Sequence, residues 1–466
     1  MNKREIVFRV LSVIFYIYAI GQIILGLIWI VKNYNSVPGF GDTTEYYNLS
    51  MTLKVDEYRT VLYPFIIKCA RFMERVVGLS YYHYVYFGQL LLSLFSIAYS
   101  WNYIYRKVLN KKGLVREIII ILFLFTIPMV SFHNLCILPD SIATSFLLVA
   151  MTELIRISRE DFSWRNSIFF LVSIIFSFMI RADRIFSCSI LVVGYCIINL
   201  IRTKAYKKYL TVFICLLIAV FINLGINSYT QTKGLYGRVE TNLPFILLDR
   251  VVFPHMVENY DYFSQEIKDN ISIEDATIFD SHNNNVFYYL APMLQEKVGE
   301  EKAEAMCIEM AKVVWKHDKK AVICEILDKF KLMYFFPVYE YSAINGKVPS
   351  NAGWIIYNFS VNDAWLTNTY MKYYGVGYGY VIFILTFIIL IAGLFNRSVR
   401  IGNFDVLKAM VLYFILLFVI VAWFSLGDGD GANHRYVLLG YISWAMLSVG
   451  ICSKVFEKDT EVEVNE

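Results

Sequence analysis

Apolar runs of about twenty residues recur along this chain, the length a helix needs to cross a bilayer. The first follows the charged opening MNKRE and covers Ile6 to Val31. Others lie at 84–105, 117–135, 139–155, 167–180, 185–201, 209–226, 376–395, 404–425 and 436–454, about ten spans in all. A bilayer offers no water to unpaired backbone groups, so runs of this kind must be helical. The chain is 58% hydrophobic and 17% aromatic, which excludes an ordinary soluble domain. The expected class is therefore an all-α polytopic membrane protein. Ile6 to Val31 is longer than a signal-peptide core and no small-residue cleavage site follows it, so it reads as a retained first span.

Basic residues set the expected orientation. The turns 106–116 (RKVLNKKGLVR), 202–208 (RTKAYKK) and 396–400 (NRSVR) share the phase of the N-terminus. They are assigned to the cytoplasm together with the acidic tail. The opposite face then receives the loop 32–83, the short turns LPDS (138–141) and RADR (181–184), the region 227–375 and the loop 427–435. Three parts follow: a transmembrane module over 1–226, an extracytoplasmic domain over 227–375, and further spans with the tail over 376–466. The middle part is too long for a loop. Gly299 to Trp315 and Lys319 to Phe336 read as its helices, and the aromatic run 331–341 suits either a membrane interface or packing on the bundle.

The net charge of +4 argues little about acidic partners, and nothing points to nucleic acid. Most of the eight cysteines sit in apolar runs, as small core residues do. Cys307 and Cys324 fit no disulfide or metal framework. The six histidines form no cluster.

Chemistry-bearing residues concentrate on the outer loops. Asp42 and Glu45 have the spacing of a capping box at a helix start; the alternative is a carboxylate working at the membrane face. Arg59 is followed by an amphipathic stretch in which Phe65, Ile66, Phe72 and Met73 oppose Lys68, Arg71 and Arg75. Such a helix can lie flat on a bilayer, and Arg59 can snorkel beside it. Asp140 follows Pro139 and either caps the next helix or joins the site. GDGDG (427–431) has too few positioned oxygens for a calcium loop.

The order GDTTEYYNLSMTL (41–53) then YRTVLYP (58–64) resembles the first outer loop of the GT-C membrane glycosyltransferases. It is most similar to the bacterial branch related to protein O-mannosyltransferases and lipid A aminoarabinose transferases. Gly41, Asp42, Thr43 and Tyr46, then Arg59, Tyr63 and Pro64, carry the likeness. Thr43 replaces a serine, and Val61 stands where the first proline of Arg-x-Pro-x-Tyr-Pro would be. ILPDSIATSFLLVAM (137–151), MIRADRIFSCSILVVGY (179–195) and NHRYVLLGYISWAM (433–446) resemble later turns of that family, with Arg184 in place of a glycine. The resemblance implies a GT-C-like bundle with a mainly helical outer domain. It also implies a sugar donor linked to a polyprenyl phosphate or diphosphate, and a glycan, lipid or protein acceptor in the cell envelope. Asp42 would be the general base. Glu45, Arg59, Tyr63, Asp140, Arg181, Arg184, His434, Arg435 and Tyr436 would bind the substrates, with arginines facing the anionic leaving group. The resemblance fixes no cofactor; a divalent cation bridging the phosphate is compatible with the chemistry, though no ligand set in the sequence supports one. The site would face outward from the cytoplasmic membrane.

Three other functions compete. An envelope polysaccharide polymerase or ligase has similar chemistry with a larger donor. A flippase or ion-coupled transporter would carry ionisable groups or broken helices at mid-membrane, and the expected spans are nearly free of both. A purely structural membrane protein would not need this concentration of outer acids and arginines.

Overall fold

The computed structural model describes residues 3–35, 41–55, 59–182, 184–230, 243–275, 286–324, 327, 365, 369–370 and 438–455. Among them the architecture is helical. Ten helices make up the first part: α1 (Lys3–Asn33), α2 (Gly41–Thr52), α3 (Leu62–Val77), α4 (Tyr81–Tyr103), α5 (Leu114–Phe125), α6 (Pro128–Asn134), α7 (Asp140–Arg159), α8 (Trp164–Ile180), α9 (Arg184–Thr203) and α10 (Tyr206–Thr230).

Among the described residues four helices are long and apolar enough to cross a membrane: α1 over Val13–Asn33, α7, α9 over Arg184–Ile201, and α10. With α5 and α6 taken as one bent span the count is five. This is a membrane protein with fewer self-sufficient spans among the described residues than the apolar runs lead one to expect. The run 167–180 becomes a helix of 17 residues, at the short end of what crosses a bilayer. The runs 376–395 and 404–425 lie outside the described residues. The run 117–135 is not one straight span; its halves meet at 66°. Pro128 supplies the cause. It has no N–H to continue the ladder, and it pushes Ile127 into an extended conformation (φ −55°, ψ 128°).

The bundle turns its apolar side chains outward as well as inward. Ile14, Ile17, Ile24 and Val31 on α1 are exposed, as are Leu210, Phe213, Ile214 and Phe221 on α10. Water would not tolerate such rows, whereas lipid does. Inside, α7 is packed on most of its surface. It meets α4 and α8 through small polar residues: Thr152 Oγ1 donates to Ser100 Oγ (2.7 Å) and Ser177 Oγ to the Ala143 carbonyl (3.0 Å). Small hydroxyl residues let helices approach closely and hydrogen-bond where the surroundings are apolar.

A second core is formed by Phe245, Val252, Ile267, Leu294, Met306 and Met310. Its main elements are α11 (Ala291–Val298) and α12 (Glu300–His317). They join at Gly299, whose φ of 83° suits a residue without a side chain. The helix expected over 299–315 is thus present, shifted by a residue or two. That expected over 319–336 is helical over 319–324; most of its remainder, and the aromatic run 331–341, lie outside the described residues. A last helix, α13 (Leu438–Val455), packs on α5, α6 and α7.

Candidate active site

The candidate residues of four separate stretches meet at the N-terminal end of α7. Asp42 lies in the first turn of α2, where the helix dipole favours a negative charge. Glu45 is one turn further on, so both carboxylates project from the same face. Arg59 answers both: its Nη2 is 3.3 Å from Asp42 Oδ1 and also pairs with Glu45 Oε2. The Arg59 side chain is only 6% exposed, while those of Asp42 and Glu45 are 32% and 24% exposed. The acids therefore reach the surface and the arginine holds them from below. Its guanidinium also lies over the Tyr46 ring, 5.6 Å from the centroid.

Tyr46 leads to the second half of the site. Its ring meets Tyr63 edge-on at 5.0 Å. Tyr63 is wholly buried in the first turn of α3, and its hydroxyl donates to Gln89 Oε1 (3.2 Å). Burial pushes the Tyr63 phenol well above its ordinary range, and the neighbouring Tyr46 and Asp140 push it further. It is a neutral bridge between two charged groups. Asp140 opens α7 and pairs through Oδ1 with Arg181 Nη1, from the turn after α8. The Asp140 carboxylate is fully buried, whereas Arg181 is 12% exposed. Arg184, at the start of α9, is fully buried.

Backbone accounting explains how these pieces are fixed. Between α6 and α7 the chain is irregular yet buried, and its carbonyls need donors. Gln89 Nε2 supplies them, reaching the carbonyls of Asn134 (3.0 Å) and Cys136 (2.8 Å). Thr43 Oγ1 donates to the Ile137 carbonyl (3.3 Å), which ties the start of α2 to the residues just before Asp140. Ser141 Oγ donates to Asn134 Oδ1. The first loop is also held to the end of α10, since the Val55 N–H donates to the Thr230 carbonyl (3.2 Å).

The structure thus brings together Asp42, Glu45, Arg59, Tyr63, Asp140, Arg181 and Arg184. His434, Arg435 and Tyr436 lie outside the described residues. Sequence reasoning missed Gln89, Asn134 and Ser141. The signal for Gln89 was available: a lone amide within an apolar run needs partners there. Arg59, read beforehand as a snorkelling or phosphate-facing cation, is engaged with both loop acids. The amphipathic α3 buries Tyr63, Ile67 and Ala70 against the bundle and exposes Phe65, Phe72, Met73 and Val76, so it carries two apolar faces. Among the described residues no three His, Cys, Asp or Glu side chains converge as a metal would require.

No family model, curated protein or solved structure matches the chain. The geometry of the site must therefore carry its interpretation.

Proposed function

We propose that this protein is an integral membrane glycosyltransferase with a GT-C-like bundle of about ten spans and an extracytoplasmic helical domain. It moves a sugar from a polyprenyl phosphate or diphosphate to an envelope acceptor. One observation carries the reading: Asp42 is a reachable carboxylate, fixed by Arg59, at the mouth of a cluster that also contains the Asp140–Arg181 pair. Transfer at the sugar's C1 needs a base to take the acceptor proton. Asp42 is oriented for that role, and Glu45 beside it can bind or orient the acceptor. Arg181 and Arg184 supply fixed positive charge near the departing phosphate, and the resemblance adds His434, Arg435 and Tyr436 to that set.

A lipid-linked sugar flippase is the second reading. The 66° break between α5 and α6 favours it, because broken helices often line transport paths.

The deciding experiment compares envelope glycans by mass spectrometry in cells carrying the wild type, no protein, or Asp42→Asn. Asn is nearly as good as Asp near a helix start but cannot serve as a base. The expected outcome is loss of the sugar from its acceptor with Asp42→Asn at normal protein level, and donor still reachable from the outer side. Glu45→Gln should lose less. Near wild-type transfer by Asp42→Asn would remove the base, and donor trapped on the inner side would favour the flippase.

A further inference from the structure

The opposite end of α7 has a different character. Asp140 and Arg156 are separated by about 24 Å at 1.5 Å per residue. Arg156 is already answered: its Nη1 bonds Glu153 Oε1 (2.9 Å) and the Tyr99 hydroxyl (2.8 Å), and its guanidinium lies 4.5 Å from the Tyr103 ring centroid. Beyond that pair two turns, distant in sequence, are fastened together. Lys208 Nζ, from the start of α10, donates to the Glu160 carbonyl. Lys207 Nζ sits 4.5 Å from the Phe162 ring centroid. The Tyr195 hydroxyl donates to Ser158 Oγ (2.6 Å). The turn after α7 and the turn after α9 therefore form one surface.

Among the described residues that surface carries Arg159, Arg165, Lys204 and Lys207 as exposed side chains and Lys208 half-buried, against Glu160 and Asp161. Directly below it come exposed Trp164 and Tyr206, and then exposed Ile168, Val172, Leu210 and Ile214 on α8 and α10. A crown of cations, a belt of amphipathic rings and an apolar wall follow one another in the order of a phospholipid's own chemistry.

We propose that this end of the bundle is a binding site for one anionic phospholipid. Its phosphodiester bridges Arg165 in the first turn of α8 and Lys207 in the first turn of α10, and its acyl chains lie along those two helices. A free phosphate would satisfy the cations but would leave the apolar wall unused. The site is independent of the chemistry at the other end of α7.

The test uses the full chain purified into neutral detergent, with phosphatidylglycerol or phosphatidylcholine titrated in and retained lipid counted by native mass spectrometry. The wild type should hold one phosphatidylglycerol in preference to phosphatidylcholine, and inorganic phosphate should not displace it. Arg165→Gln with Lys207→Gln should weaken retention roughly 25-fold, at about fivefold per cation removed. Lys107→Gln with Lys112→Gln, exposed on the separate turn between α4 and α5, should leave it unchanged. Should the first pair lower the yield of folded protein, Lys207→Gln alone should still weaken retention about fivefold. Equal loss in both double variants would reduce the site to diffuse surface charge and overturn the proposal. So would equal retention of the two lipids or displacement by inorganic phosphate.

Discussion

The two ends of α7 share a motif and differ in their surroundings. Each holds a buried carboxylate paired with an arginine: Asp140 with Arg181 at the start, Glu153 with Arg156 towards the finish. At the first end, among the described residues, the acids are answered by arginines: Asp42 and Glu45 by Arg59, and Asp140 by Arg181. At the second, cations exceed acids. A balanced cluster can hold reachable carboxylates in place without drawing anions indiscriminately. An unbalanced one invites a negative partner from outside. The helix dipole supports both arrangements, because it favours acids at its start and cations at its end.

The largest test of this contrast is removal of one member of each pair. Asp140→Ala breaks the buried ion pair with Arg181 and should cost about 3–5 kcal/mol, read by denaturation of the purified protein. Glu153→Ala should cost less, because the Arg156 side chain is 21% exposed and keeps its ring contacts with Tyr99 and Tyr103. Asp140→Ala combined with Arg181→Ala should fall short of the sum of the singles. Equal losses at the two ends would break the comparison.

The second core offers a control remote from either pair. Burial pushes the Cys307 thiol up to about 12. A group whose protonated form is favoured by folding loses stability as pH rises past its unfolded value, near 8.5. Cys307 should therefore cost about 1.4 kcal/mol per pH unit above roughly 9. Cys307→Ala should flatten that slope between pH 9 and 10 and leave both ends of α7 unaffected. A slope unchanged by the substitution would show that the thiol is not held protonated.

A smaller effect is expected at Tyr63. Tyr63→Phe removes one neutral hydrogen bond to Gln89, worth about 1 kcal/mol, and keeps the ring contact with Tyr46. The proposed transfer should drop with it if the Tyr63–Gln89 link positions α2 against α7. Loss of stability with full activity would make Tyr63 a packing residue only. The smallest effect concerns salt. Between about 0.01 and 1 M the Debye length shrinks from about 30 to 3 Å. Lipid retention at the cationic end should weaken over that range, whereas the stability loss of Asp140→Ala should hardly change. Parallel salt responses would erase the distinction between a buried pair and an exposed crown.

Much of the helical layout could be read directly. The apolar runs over 6–31, 84–105, 139–155, 185–201, 209–226 and 436–454 each lie largely on a helix of the structure, because twenty apolar residues in series have few other options. The bend at Thr126–Pro128 was legible too, in the proline itself, but the hydropathy of 117–135 outweighed it. Around the candidate site the residue types were visible and their partners were not. Arg59 lies 17 residues from Asp42 and 14 from Glu45, and nothing local says whether its charge faces lipid, phosphate or acid.

By itself the sequence determined that this chain is a helical membrane protein, and it supplied the expectation that acids and arginines share the loops of one phase while lysine-rich turns occupy the other. Those properties depend on counts and periods along the chain. The tertiary structure alone decided that Arg59 closes over two acids, that Tyr63 and Gln89 join α3 to the irregular backbone before α7, and that the turns after α7 and α9 form one basic surface. Each is a pairing between residues far apart in sequence. Such pairings are fixed by which buried donors and acceptors remain unsatisfied once the helices have packed, and only the assembled bundle contains that information.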